Sequence, residues 1–164
     1  MSQLATIPSN WTWQHGPISG GSAVIVDMDG VISDARHRQH LLRSNLWDEF
    51  FNRCGDDPPL VPAMALLASI APNLAVVLLT ARPIRVRDST LGWLLKHQVR
   101  WDLLIMSPPA DTGTPSAFKS AEVANLRGHG FELLYALEDD PRNVAMYTEA
   151  GVPCVYIHSG YYDR

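Results

Sequence analysis

The sequence predicts an α/β domain built as a three-layer, doubly wound parallel sheet, and three observations predict it. Five short apolar runs each end in polar residues. The runs are continuous rather than alternating, which fits strands buried on both faces and hence a parallel sheet. Stretches of helical length and spacing lie between them.

The first run, Ala23-Val24-Ile25-Val26, leads into Asp27-Met28-Asp29-Gly30. Pro62, Pro72 and Asn73 cut the uncharged stretch 60–81 into a helix-sized piece with Met64, Leu66, Leu67 and Ile70, and a strand, Ala75-Val76-Val77-Leu78-Leu79. That strand ends in Thr80-Ala81-Arg82-Pro83, and residues 84–97 follow with Val86, Leu91, Leu94 and Leu95 at helical spacing. Leu103-Leu104-Ile105-Met106 runs into Ser107 and a proline-rich loop. Pro115 suits the first turn of a helix reaching about Arg127, with Thr114 as its cap and Gly128 as its stop. Leu133-Leu134-Tyr135-Ala136-Leu137 leads to Glu138-Asp139-Asp140-Pro141, which opens a helix ending before Gly151. Val155-Tyr156-Ile157 is the last strand.

Residues 34–59 break the alternation. They read as a small helical insert over the sheet edge, a single helix from Ala35 to about Phe51 closed by Cys54-Gly55-Asp56-Asp57-Pro58-Pro59. Residues 1–21, with Trp11 and Trp13, read as an arm packed on the domain or partly loose; residues 22–158 form the core, and 159–164 a tail.

The chain has 164 residues, 46% of them apolar, enough for one core without disulfides. Cys54 and Cys154 lie far apart with no metal-ligand spacing, so neither a zinc site nor a disulfide framework is expected. Residues 1–26 lack the basic start and compact apolar centre of a signal peptide, which makes the cytoplasm the expected location, with no membrane partner. A formal charge of -4 excludes a broadly basic nucleic-acid coat.

Ligands of open parallel sheets bind outside the carboxyl ends of the strands. Those ends carry Asp27, Asp29, Thr80, Glu138 and Asp139, and Lys119 enters from a helix start. Four acids at one rim repel each other and are costly to desolvate. A hard divalent cation relieves this, and Mg²⁺ is the usual choice where phosphate is present.

Taken together these motifs resemble the haloacid dehalogenase superfamily of phosphatases over residues 22–158. The Asp-x-Asp-Gly motif is matched by Asp27, Asp29 and Gly30, the strand ending in Thr or Ser by Thr80, the lysine by Lys119, and the paired acids by Glu138 and Asp139. The resemblance implies a Rossmann-like sheet with a small cap and an aspartyl-phosphate mechanism. Asp27 would be the nucleophile and Asp29 the general acid and base. Asp27, the Asp29 carbonyl and Asp139 would hold Mg²⁺, with Glu138 assisting and Asp140 a further candidate. Thr80 and Lys119 would hold the phosphoryl oxygens.

The small insert, with Asp34-Ala35-Arg36-His37-Arg38 and Trp47-Asp48-Glu49-Phe50-Phe51, is similar to the phosphatase half of polynucleotide kinase-phosphatases. That likeness implies a phosphomonoester substrate at a nucleic-acid 3′-end. Gly30, Ala81, Arg82, Arg36, His37 and Arg38 would then line the substrate, joined by Arg85. The competing reading places these arginines on a solvated face with Asp48 and Glu49. No GxxxxGK[ST] motif occurs, so no kinase half and no ATP are implied. Ser107 and Asp111-Thr112 stand where such relatives carry arginine, which keeps a small-molecule nucleotide phosphatase open as an alternative. A phosphoacceptor signalling module is disfavoured because Ser107, not an acid, follows the third strand. With the four rim acids set aside, 13 acids face 13 bases, so the acidic balance does not argue against a nucleic-acid substrate.

Overall fold

The computed structural model describes residues 6–109 and 113–163. Among them, six strands form one sheet: β1 (Trp11–Trp13), β2 (Gly21–Val26), β3 (Ala75–Pro83), β4 (Leu103–Ser107), β5 (Phe131–Glu138) and β6 (Cys154–Tyr156). Their spatial order is β1-β4-β3-β2-β5-β6, with β2 to β6 parallel and β1 antiparallel to β4. The chain winds outward from β2 through β3 to β4, then crosses to the other side for β5 and β6. The direction of winding therefore reverses beside β2, and a crevice opens at the carboxyl ends of β2, β3 and β5.

Alternate residues of the central strands feed two cores. Val24, Val26, Val76, Leu78, Leu104 and Met106 face one layer, which Leu67 of α3 (Val61–Ala68) and Trp93 and Leu94 of α4 (Arg87–Lys96) complete. Ala23, Ile25, Val77, Leu79, Leu103 and Ile105 face the other, closed by α5 (Pro115–Gly128) and α6 (Pro141–Glu149). Full burial of each such Val, Leu or Ile contributes about 1.5–3 kcal/mol relative to exposure, so the three central strands fix the platform beneath the crevice. The Thr114 hydroxyl accepts from the Ala117 amide and Asp140 from the Arg142 amide, capping α5 and α6 as the sequence indicates. β6 departs from the expectation of burial on both faces. It is an edge strand, and Val155 and Tyr156 remain exposed.

Three further readings are corrected or completed. First, β1 adds a strand that the apolar runs did not announce, since Trp11-Thr12-Trp13 is too short to register as one. It is pinned by the buried Glu122 of α5, which accepts from the Trp11 indole at 2.7 Å and from Asn10 at 3.2 Å. Residues 1–5 and the Asp111-Thr112 pair lie outside the described residues. Second, the helix at 84–97 begins only at Arg87, because β3 runs on to Pro83 and a 3-10 turn covers Ile84–Val86.

Third, the insert is not one helix. A 3-10 turn at Arg36–Arg38 leads into α1 (Gln39–Arg43), which stops before α2 (Trp47–Asn52). Asn45 sits at φ 57, the Leu46 amide donates to the Leu41 carbonyl, and the Asn45 amide donates to that of Leu42. This is a Schellman cap with asparagine in the left-handed position usually taken by glycine. Ala35, Leu41 and Phe50 form the insert's own small core. Its two ends are tied together by the pairing of Ser33 with Pro59 and by hydrogen bonds from Asp34 to Pro58 and from Leu60 to Ile32. No described helix is long and apolar enough to cross a membrane.

Candidate active site

Asp27 follows the last residue of β2, and its amide continues the ladder by donating to the Leu137 carbonyl. The chain then folds back sharply, with the Met28 carbonyl accepting from the amides of Val31, Ile32 and Ser33. Gly30 makes this turn possible. Its φ is +83°, and a Cβ there would lie 2.1 Å from Asp139 Oδ2. Only glycine lets the two motifs approach so closely. The Gly30 amide donates to the Ser33 carbonyl, which fixes Gly30 in the turn.

Asp27, Glu138 and Asp139 bring one carboxylate oxygen each to within 4.8 Å of one another, and all three are buried. Lys119 reaches in from α5, its ammonium 3.0 Å from Asp27 and 2.7 Å from Glu138. Both Glu138 oxygens are engaged: one binds Lys119, and the other accepts from the amides of Asp139 and Asp140. Glu138 thus fixes Lys119 and the motif's backbone, while Asp27 lines the cleft and Asp139 lies buried beside it. Asp140 caps α6 and pairs with Arg142, which occupies its carboxylate.

Burial and the charge of Glu138 hold Asp27 well above the usual carboxylate range, even with Lys119 beside it. Burial likewise pushes Asp139 up to about 7, aided by Glu138 and opposed by a hydrogen bond from Ser159. Burial alone would depress the Lys119 ammonium, but Asp27 and Glu138 outweigh it and raise it. Asp139 Oδ2 is buried with no hydrogen-bond partner. An orphaned carboxylate oxygen beside two more buried carboxylates fits a hard divalent cation, whose charge satisfies all three.

Asp29 is set differently. Arg38 Nη2 lies 2.5 Å and Arg82 Nη2 2.6 Å from its Oδ1. Burial alone would raise the Asp29 carboxyl, but Arg82 and Arg38 outweigh it and hold it down to about 2. About 20% of the side chain still faces the cleft, so it can reach a reacting group. Arg38 and Arg82 are themselves fully buried, so they do not offer the direct substrate contacts expected of them, nor do they form a solvated face. Their charge is turned onto Asp29 and onto Asp57, which the sequence marks only as part of a helix stop.

Asp57 is the centre of this network. It accepts from Arg38 Nε at 2.8 Å and Nη2 at 2.6 Å, from Ser33 Oγ at 2.6 Å, and from Arg82 at 3.3 Å. His37 Nε2 lies 2.8 Å away, so that His37 too is directed to Asp57. Arg38 also lies over the Phe50 ring at 4.1 Å. Buried Asp57, half-buried Asp29 and the two buried arginines are thereby mutually compensated, and the insert is locked to the sheet at Asp29.

Asp27, Asp29, Lys119 and Asp140 line a cleft of about 730 Å³ beneath the insert. Thr80 is buried in its wall, its oxygen accepting from the Arg82 amide, and Ala81 lies beside it. Arg36 and Arg43 are exposed on the insert side of the cleft, whereas Arg85 sits outside it, paired with Asp48 at 2.8 Å. The tail contributes Ser159, Tyr161 and Tyr162, which sequence reasoning did not place here; Tyr161 donates to Asp34 of the insert at 3.1 Å. Only their position one strand after the fourth motif could have signalled it.

The family model described as the polynucleotide kinase PNKP phosphatase domain matches residues 21–162. No curated protein sequence matches the chain. Among solved structures, one from the Pnkp1/Rnl/Hen1 RNA repair complex is similar at 24% identity and a TM-score of 0.67, covering 93% of this chain and 47% of that one. The class C acid phosphatase from Bacillus anthracis with tungstate bound gives 12% identity and a TM-score of 0.59, over 90% and 70%. A putative HAD-like phosphatase from Mesorhizobium loti gives 13% identity and 0.58, over 87% and 75%. At these identities the likeness is one of fold, and the chain spans about half the length of the RNA-repair chains it resembles. By the family match, the chain belongs to the polynucleotide kinase PNKP phosphatase domains and is a phosphatase of the haloacid dehalogenase type.

Proposed function

We propose that the protein is a Mg²⁺-dependent phosphomonoesterase that removes 3′-phosphates from nucleic-acid ends through a phosphoryl group carried on Asp27. One observation carries the reading: the Asp27 carboxylate stands in the cleft 3.0 Å from Lys119, beside the partnerless Asp139 oxygen. Mg²⁺, held by Asp27, Asp139 and the Asp29 carbonyl, would neutralise charge on the phosphoryl oxygens.

In the first step Asp27 attacks phosphorus in line, the bond from phosphorus to the 3′-oxygen breaks, and that oxygen takes a proton through Asp29. In the second, water attacks the aspartyl phosphate, its proton passes to Asp29, the bond from phosphorus to Asp27 breaks, and phosphate leaves. Lys119 offsets the charge on Asp27 as the anionic end approaches, and the Thr80 hydroxyl donates to a phosphoryl oxygen. Asp29 rests ionised, held by Arg38 and Arg82, which suits it to orient and accept in the second step. For the first step it needs a proton, and a phosphate monoester whose second ionisation lies near pH 6 brings one. The exposed Arg36 and Arg43 at the cleft supply counter-charge for an adjoining phosphodiester.

The test compares phosphate release from a 3′-phosphorylated oligonucleotide, its 5′-phosphorylated isomer and mononucleotides across Mg²⁺ concentration and pH. The 3′-phosphorylated oligonucleotide is expected to be turned over fastest. The metal must displace the proton Asp139 holds below about pH 7. The half-saturating Mg²⁺ concentration therefore falls as pH rises toward 7. Faster turnover of mononucleotides would favour the nucleotide-phosphatase reading, and a metal requirement that is flat from pH 5.5 to 8 would remove Asp139 from the site.

A further inference from the structure

A second cavity of about 490 Å³ lies beside the catalytic cleft, between the insert and the segment that follows β4. The two share four wall residues, Trp47, Phe51, Ala81 and Pro115, so they are continuous across that wall. The second groove has a different character from the first. Its further walls are the flat or apolar side chains of Pro83, Ile84, Pro108, Pro109 and Phe118, and no acid lines it among the described residues. Arg85 stands at its edge, already paired with Asp48. Its size falls in the range of roughly 300–1,000 Å³ typical of small-molecule pockets.

Trp47 is one of the four residues on the wall shared by the two spaces. It opens α2, and 54% of it is exposed, so its indole face is not needed by the core. A large aromatic face at the mouth of an apolar slot, next to a phosphate-handling cleft, matches the chemistry of a nucleobase, which offers a π-face whatever its identity.

We infer that the catalytic cleft takes the terminal nucleoside 3′-phosphate and that this groove is the subsite of the penultimate nucleoside, whose base stacks on Trp47. The inference rests on the proposed 3′-end substrate and adds to it a minimum length: two nucleotides engage the protein better than one.

The experiment measures kcat/KM for a nucleoside 3′-monophosphate, a dinucleotide 3′-phosphate, and a dinucleotide 3′-phosphate lacking the penultimate base. Stacking of one base corresponds to a gain of about 5- to 150-fold, so the dinucleotide is expected to exceed the mononucleotide by that order. The abasic dinucleotide should lose most of the gain. Trp47→Ala should abolish the dinucleotide-to-mononucleotide ratio and Trp47→Phe should keep most of it. Because the ratio is taken within one variant, a general loss of folded protein cancels. Equal kcat/KM for mono- and dinucleotide, or a gain that survives Trp47→Ala, would overturn the inference while leaving the proposed function standing. If the parent protein releases phosphate from no 3′-phosphorylated nucleotide, the proposed function falls and the inference falls with it.

Discussion

Asp27→Asn is expected to lower phosphate release by about a thousandfold or more without unfolding the protein, because loss of a nucleophile removes the reacting group itself. The amide fills the same space at the end of β2 but cannot attack phosphorus at a useful rate. The substitution also removes one of three mutually repelling buried carboxylates. Asp27 binds its proton more tightly folded than unfolded, because burial and Glu138 raise it above its ordinary value. A carboxyl raised in this way disfavours folding once it ionises, so at pH 7.5 and without metal the variant should melt at the same temperature as the parent or higher. Its melting temperature should also respond less to added Mg²⁺. Thermal melts with and without the cation check both points, and normal turnover by the variant would exclude Asp27 as nucleophile.

The second large effect is expected at a residue that touches no substrate. Asp57→Ala should destabilise the protein by about 3–5 kcal/mol, the scale for removing one partner from a buried ion pair. It would leave Arg38 and Arg82, both fully buried, with Asp29 as the remaining counter-charge in the network. It would also take the carboxylate partner from Ser33 and His37 and loosen the tie between the insert and the sheet. Asp57→Asn should cost less, since the amide oxygen still accepts from one guanidinium. Urea unfolding of the two variants against the parent reads the difference. An Asp57→Ala midpoint equal to the parent's would show that the network does not carry the insert. Activity should fall as well, through disorder in the arginines that hold Asp29.

The two substitutions mark the boundary of what was legible in the sequence. Asp27, Thr80, Lys119 and Glu138-Asp139 are visible because each follows a continuous apolar strand or opens a helix, and the fold brings such ends to one rim. Asp57 is not visible in that way. Its partners Ser33, Arg38 and Arg82 lie 24, 19 and 25 residues from it, and no periodicity links them. Arg38 and Arg82 were legible as important but not as buried, because charged side chains in a short insert ordinarily face water. The break between α1 and α2 turns on Asn45 in a left-handed cap, a weaker signal than glycine would have been. β1 escaped because its stability lies in Trp11 binding Glu122, a contact 111 residues distant.

The role of Glu138 shows the same limit at the site itself. The acid pair suggested two metal ligands, whereas both Glu138 oxygens are taken up by Lys119 and by two backbone amides. The free oxygen belongs to Asp139. Composition and spacing locate the acids, but only the hydrogen bonds divide them into a holder of Lys119 and a candidate cation ligand.

The most direct measurement is capture of the phosphoryl group on the protein. A 3′-[³²P]phosphorylated oligonucleotide is mixed with excess protein and Mg²⁺, quenched in acid within milliseconds, and the protein digested for mass analysis. A phosphoryl group carried on Asp27 predicts that label appears on the peptide containing Asp27 before free phosphate accumulates, is released by hydroxylamine as an acyl phosphate, and is absent from Asp27→Asn. Phosphate released at the full rate with no label on Asp27 at any time, the quench being shown to preserve acyl phosphates, would contradict it.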